Sequence, residues 1–260
     1  MNHDLLAVAM RALAAAKSEL SSGSTEVLAT KSSPTDVVTA TDRAVEAAIK
    51  AAIAAERPHD LVLGEEFGGD ETSAGSTRWI LDPIDGTVNF TYGIPDYAIS
   101  IAAEVGGVTE VGVVCDFPRE EVFIAVRGQG AELSGRRLAV TGVSRLDQAL
   151  IGTGFGYDSE RRRLQGRILA DLVPDFRDVR RFGAAAIDLC WVAAGRLDGY
   201  YETGLKLWDH AAAALIVSEA GGVVDTALDG FDSGDLVVAS GPMLFGPLAK
   251  RVLAAHAGLS

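Results

Sequence analysis

The chain has 260 residues, 48% of them hydrophobic and 23% charged, enough to bury a substantial core as one large domain or two small ones. Its formal net charge of -13 disfavours long-range attraction to nucleic acid or to an anionic membrane. No uninterrupted apolar run approaches the roughly 20 residues that span a bilayer, and the two cysteines, Cys115 and Cys190, lie in apolar stretches and make no disulfide framework. Buried free thiols and a soluble, cytoplasmic protein are the expectation. The first residues lack a basic region followed by an apolar run, so no secretory signal is expected.

Residues 4 to about 20 are Ala-rich with Leu5, Leu6, Met10, Leu13 and Leu20, a period that predicts an amphipathic helix. A polar loop at 31–36 precedes a short extended piece at 37–39. Asp42 then heads a second helical run with Val45, Ile49 and Ile53 on one face, ending before Pro58. A short strand at 61–63 runs into Gly64, Glu65 and Glu66. An apolar run from Trp79 leads into Asp82, Pro83, Ile84, Asp85, Gly86 and Thr87, where a helix can begin. Three β-rich runs at 97–105, 108–115 and 121–126 predict an antiparallel meander, extended by 131–138. Composition shifts near 143–148, dividing the chain into an expected N-terminal part, 1–143, and a C-terminal part, 144–260. In the second part, strands at 149–152, 178–181 and about 199–202 alternate with helices reaching to about 172, at 185–194 and at 209–220. A buried strand at 236–239 and a last helix at 247–255 complete it. That alternation argues α/β.

The chemistry lies in the acids. Asp42, Glu65, Glu66, Asp82, Asp85 and Asp209 each sit where a predicted element begins or ends, whereas acids on a solvated face recur along helices beside basic residues. Each has an ordinary reading by itself: Asp42 and Asp209 as helix caps, Glu65 and Glu66 as a solvated pair. Asp82 and Asp85 are harder to dismiss, because a hydrophobic strand leads straight into them. Two carboxylates, a carbonyl and the free N–H groups of a helix start suit a hard divalent metal beside a bound phosphate. His3, His59 and His256 are expected in solvent; His210, next to Asp209, is either a helix-start residue or one that orients its neighbour. None of the glycine pairs has dinucleotide or P-loop spacing. Arg161, Arg162, Arg163, Arg180 and Arg181 are expected as solvated or phosphate-side charges.

Gly64-Glu65-Glu66, the run from Asp82 to Thr87, and Trp208-Asp209 with Gly221-Gly222 beyond an Ala-rich helix together resemble the signature of the inositol monophosphatase family, part of the Mg²⁺-dependent, lithium-sensitive phosphatase superfamily. The run from Lys31 to Asp42 and the run from Gly199 to Glu202 extend the resemblance over nearly the whole chain. It implies a layered α-β-α-β-α sugar-phosphatase fold: an N-terminal α+β half with an antiparallel sheet, and a C-terminal α/β half with a smaller mixed sheet. It implies two or three Mg²⁺ per site. Glu65, Asp82 and the carbonyl of Ile84 would hold the first, Asp82, Asp85 and Asp209 the second, and Glu65 with water a third. Thr87 paired with Asp42 would orient the attacking water, Gly86 and Thr87 would grip the phosphate through their N–H groups, and Asp85, Ala185 and Glu202 would meet the hydroxyls of the alcohol. The loop at 31–39 would close over the third metal.

The implied reaction is Mg²⁺-dependent hydrolysis of a small phosphorylated polyol, foremost myo-inositol 1-phosphate. Histidinol phosphate, fructose 1,6-bisphosphate and 3'-phosphoadenosine 5'-phosphate are alternatives on the same metal site. Lithium sensitivity and a homodimer belong to the same implication. Ala184 departs from the Ser or Thr that relatives often carry, which removes a potential substrate hydroxyl contact. A rival of another class is a regulatory protein on this scaffold that binds RNA or the transcription machinery; the acidic balance disfavours nucleic acid.

Overall fold

The computed structural model describes residues 2–30, 37–69, 76–228 and 236–258. Its elements stack as five layers. The outer layer is α1 (Asn2–Ser21) with α2 (Ala40–Glu56). Next comes an eight-stranded sheet built from β3 (Leu61–Gly64), β4 (Gly68–Gly69), β5 (Thr77–Asp85), β6 (Ala98–Val105), β7 (Val108–Asp116), β8 (Glu121–Val126), β9 (Gly130–Leu133) and β10 (Arg136–Arg137), in the order β10-β9-β8-β7-β6-β5-β3-β4. The middle layer is α5 (Ala185–Ala193) and α6 (Leu207–Glu219). A five-stranded sheet of β11 (Leu150–Thr153), β12 (Asp178–Arg180), β13 (Gly199–Thr203), β14 (Val223–Asp225) and β15 (Leu236–Ser240) follows, ordered β12-β11-β13-β15-β14. Finally α4 (Ser159–Leu172) and α7 (Pro242–Ala257) cover its far face. A short hairpin pairs β1 (Val27–Thr30) with β2 (Val37–Thr39), and α3 (Thr87–Thr91) follows β5. No described helix is long and apolar enough to cross a membrane.

The alternation of strand side chains produces these layers. In the large sheet Trp79, Leu81, Ile99, Ile101 and Val113 face α1 and α2, while their neighbours Ile80, Ala98, Ala102 and Val114 face α5 and α6. In the small sheet Tyr200, Val237 and Ala239 join that middle core, and Tyr201, Leu236 and Val238 turn to α4 and α7. α1 buries Leu5, Val8, Ala12 and Leu13 along one stripe, as an outer helix should. Every residue of α5 is buried, because it has a sheet on each side. Cys115 and Cys190 are buried free thiols in these cores, and burial pushes the Cys115 thiol up to about 11.

Two expectations need correction. The large sheet is mixed rather than antiparallel, since β3 pairs β5 in parallel while β5 through β10 form the expected meander. The parallel pair matters for the site: it carries the end of β3 and the end of β5 to the same edge. The last helix starts at Pro242 rather than Pro247, because Gly241-Pro242 makes a favourable start and Pro247 is accommodated inside the helix. The expectation for the loop at 31–36 lies outside the described residues.

α6 lies directly on β7 at Gly112, where an added Cβ would sit 2.5 Å from the Ala212 carbonyl oxygen. Gly112→Ala is therefore expected to cost about 1–3 kcal/mol by forcing sheet and helix apart. Urea unfolding would read this as a lower midpoint. An unchanged midpoint would show that the two layers have slack at this contact.

Candidate active site

The acids at the end of β5 owe their common direction to an irregularity. Asp82 pairs Ser100 and Asp85 pairs Ala98, so three steps along β5 match two along β6. The extra residue falls at Pro83-Ile84, where proline has no N–H to give the ladder. Residues three apart on a regular strand point to opposite faces; here both Asp82 and Asp85 line one cavity of about 410 Å³. The parallel pairing of β3 adds Glu65. Gly64 lies beside Leu81, and the Glu65 N–H donates to the Leu81 carbonyl at 3.2 Å, which sets Glu65 next to Asp82 on the same wall.

Gly86 turns the chain with φ 90°, and a side chain there would meet the Asp96 carbonyl at 2.8 Å. Thr87 then opens α3. Its Oγ1 lies 3.0 Å from the Ile84 carbonyl and 3.2 Å from Asp42 Oδ1. One hydroxyl hydrogen serves one acceptor at a time, so it goes either to the Ile84 carbonyl or to Asp42. Asp42 is the third residue of α2, not its cap: Thr39 is the cap, and Asp42 Oδ2 accepts from the Thr39 N–H at 2.7 Å in a reciprocal box. Its other oxygen, Oδ1, is the one that faces the Thr87 hydroxyl. Asp42 is buried behind the cavity rather than part of its wall.

The remaining wall comes from the second half of the chain. Asp209 occupies the third position of α6 and its Oδ2 accepts from the Lys206 N–H at 2.6 Å, so it reaches back to the helix start without being the cap. Ala185 opens α5, and the Ala186 N–H donates to Asp85 Oδ2 at 2.6 Å, which places that carboxylate at a helix N-terminus. Glu202, at the end of β13, accepts from the Tyr200 hydroxyl. Gly154 leaves room for it, since a Cβ there would overlap the Glu202 carboxylate.

Ala184 caps α5 without a side-chain hydrogen bond and is buried away from the cavity. A hydroxyl at this place would thus serve the helix rather than the cavity. Glu66 follows Glu65 but does not line the cavity. His210 is buried, and burial lowers it to about 4. His256, expected in solvent, is instead partly buried on α7 with its pKa lowered by that burial, because the helix runs two residues beyond the expected end.

Electrostatically the wall is overloaded with negative charge. Burial first, then the charges of Glu65, Asp85 and Asp209, raise Asp82 well above the usual carboxylate range. Burial lifts Asp85 to about 7 against the opposing Ala186 N–H. Asp209 is likewise raised by burial and then by Asp85, and Glu202 reaches about 7 through burial, opposed by Tyr200 and Arg181. Asp82 Oδ1 is buried without a hydrogen-bond partner. Among the described residues no three His, Cys, Asp or Glu side chains form a ready cage for a metal ion. Mg²⁺ needs no such cage: it takes one or two carboxylates and keeps several waters. All donors here are hard oxygens, and an orphaned, buried carboxylate oxygen is the feature that a cation would satisfy.

These shifts have a measurable sign. Asp85 and Glu202 titrate near 7 in the folded protein, against 3.8 and 4.5 ordinarily, so the fold binds more protons than the unfolded chain between those limits. Their stabilisation is complete below about pH 4 and is lost as pH rises through 7. The Tm of chelator-treated protein is expected to fall between pH 5.5 and 8 as far as these groups govern it, while the Tm gain on adding Mg²⁺ grows over the same range. A Mg²⁺ gain that is flat with pH would contradict this.

Three cations also line the cavity, Arg161 from α4, Arg181 after β12, and Lys206 before α6, of which sequence reasoning missed Lys206. Arg161 packs across Gly204, which a Cβ would block. The clustered arginines carried a phosphate-side reading, but nothing in the spacing said which of them turns inward.

The chain is similar over most of its length to known proteins. A profile of the Inositol monophosphatase family matches residues 1–257. Inositol-1-monophosphatase SuhB of Mycobacterium tuberculosis (strain ATCC 25618 / H37Rv) is 51% identical over 235 residues, covering 86% of this chain and 79% of that one. Nus factor SuhB of Pasteurella multocida (strain Pm70) is 43% identical over 224 residues, covering 85% and 84%. The solved structure of Mycobacterium tuberculosis SuhB superposes with a TM-score of 0.80 at 43% identity, covering 95% of this chain and 93% of that chain.

Proposed function

This chain belongs to the inositol monophosphatase family, and on that premise we propose that its cavity hydrolyses a small phosphate monoester with Mg²⁺, myo-inositol 1-phosphate being the leading substrate. The observation that carries the reading is the convergence of Glu65, Asp82, Asp85 and Asp209 on one wall, with Asp82 Oδ1 buried and unpartnered. Glu65, Asp82 and the Ile84 carbonyl would hold one ion, and Asp82, Asp85 and Asp209 a second, with Asp82 shared and Glu65 available to a third. When bound, Mg²⁺ supplies a lowered pKa for the attacking water and positive charge against the phosphate and the leaving oxygen.

The chain's own groups supply position and proton transfer. Thr87 Oγ1 accepts a proton from the attacking water as its own hydrogen passes to Asp42 Oδ1, the 3.2 Å neighbour. Asp42 holds that proton away from solvent. The N–H groups of Gly86 and Thr87 bind a phosphate oxygen. Glu202, fixed by Tyr200, accepts from hydroxyls of the alcohol, and Ala185 contributes backbone. The name of the mycobacterial relative supports inositol 1-phosphate as that alcohol's phosphate. A cytoplasmic location, a homodimer and lithium sensitivity belong to the same reading.

Two further readings have specific support. Arg161, Arg181 and Lys206 in the cavity lining favour a substrate with a second anionic group, such as fructose 1,6-bisphosphate. The name of the Pasteurella relative favours a role beside the transcription machinery; retained metal-binding acids are compatible with both jobs in one protein. A panel of inositol 1-phosphate, histidinol phosphate and fructose 1,6-bisphosphate tests the substrate assignment. The highest kcat/KM is expected for inositol 1-phosphate, and a preference for the bisphosphate lost in Arg161→Ala would transfer the assignment to the second reading.

A further inference from the structure

Glu46 sits on α2 one turn beyond Asp42, fully buried, yet outside the cavity wall. A buried carboxylate is costly unless its oxygens are satisfied. Here Oε2 accepts from the Glu66 N–H at 2.8 Å and Oε1 from the Phe67 N–H at 3.3 Å. Lys50, one turn further on, brings its Nζ to 3.9 Å from Oε1 and to 5.3 Å from the Phe67 ring. The fit is close: a Cβ on Gly64 would lie 2.0 Å from Oε1.

The turn that begins at Gly64 is therefore held from both flanks. On one side the Glu65 N–H bonds the Leu81 carbonyl, immediately before Asp82. On the other the next two N–H groups bond a single side chain from α2, the helix that also carries Asp42. An apolar residue would fill the same volume at lower desolvation cost, but it would take away the acceptor that both N–H groups share and leave the turn free to rotate Glu65 off the wall.

We infer that Glu46 is a positioning residue that fixes Glu65 against Asp82 and thereby sets the affinity of the site for a divalent cation. The inference rests on the metal role given to Glu65 under the proposed function. Groups of this kind, which orient a ligand without touching the ion, typically carry about 10–100-fold in metal affinity.

Calorimetric titration of the chelator-treated protein with MgCl₂, without substrate, tests it. Glu46→Gln keeps the volume but turns an amide NH₂ toward one of the two N–H donors. It is expected to weaken Mg²⁺ binding about tenfold or more, with Glu46→Asp intermediate, because it keeps the charge but falls short by one methylene. Should the glutamine variant not fold, Glu46→Asp and Gly64→Ala, which displaces the carboxylate without altering it, are each expected to shift the Mg²⁺ affinity in the same direction. Folded variants with a lower Tm but wild-type Mg²⁺ affinity would overturn the inference and leave Glu46 as packing. Wild-type protein that binds no Mg²⁺ would overturn the metal reading and this inference with it. Wild-type binding that Glu46→Gln weakens, without turnover of any ester, would sink only the proposed reaction.

Discussion

Asp82→Asn is expected to lower Mg²⁺-dependent phosphate release by about a thousandfold, the equivalent of about 4 kcal/mol, because Asp82 is the acid proposed to contact both ions. The same substitution should leave the metal-free protein at least as stable as wild type at pH 7.5. Asp82 is buried, and its charge is opposed by Glu65, Asp85 and Asp209, so a neutral side chain of the same shape removes repulsion from the wall. Lost activity with unimpaired stability separates a functional acid from a structural one. Thermal melts with and without Mg²⁺ complete the comparison: the Tm gain from the ion should shrink in the variant. Phosphate release within a fewfold of wild type would remove Asp82 from the site.

Thr87→Ala is expected to cut kcat by about a hundredfold or more while changing KM little, since the hydroxyl acts on the proton and not on the bound ester. Thr87 also touches the Ile84 carbonyl at 3.0 Å, and a purely structural role through that contact would show as lower Tm and weaker Mg²⁺ binding. Thr87→Ser, which keeps the hydroxyl, should restore most of the rate. A Thr87→Ala enzyme with wild-type kcat would eliminate the proton path to Asp42. Steady-state kinetics at saturating Mg²⁺ distinguish these outcomes.

Much of this site was legible before any coordinates. Asp82 and Asp85 stood out because an apolar run leads into them, Glu65 and Asp209 through the family resemblance, and the structure brings all four to one cavity. The reason they converge was not legible. It lies in the parallel pairing of β3 with β5 and in the extra residue at Pro83-Ile84, both long-range or register effects that no local pattern encodes. Asp42 illustrates the same limit. Its place at a helix start was readable from the residues, but its contact with Thr87, 45 residues away, came only with the family resemblance. Glu46 escaped notice because a glutamate inside an Ala-rich helix reads as solvated, and only the docking of the turn after Gly64 makes it buried. The layered fold was more accessible, since the family resemblance implied it, and strand alternation then places neighbours such as Trp79 and Ile80, or Tyr200 and Tyr201, on opposite faces.

The central claim is that this wall of carboxylates performs metal-dependent phosphate-ester hydrolysis. Its most direct test is phosphate release from myo-inositol 1-phosphate by purified wild-type protein as MgCl₂ is raised from zero in chelator-treated buffer. The account predicts release that is absent without the ion, saturates as the ion is added, and disappears in Asp82→Asn under the same conditions. No release from this ester or from the rest of the monoester panel at saturating Mg²⁺, by protein that is folded and binds the ion, would contradict it.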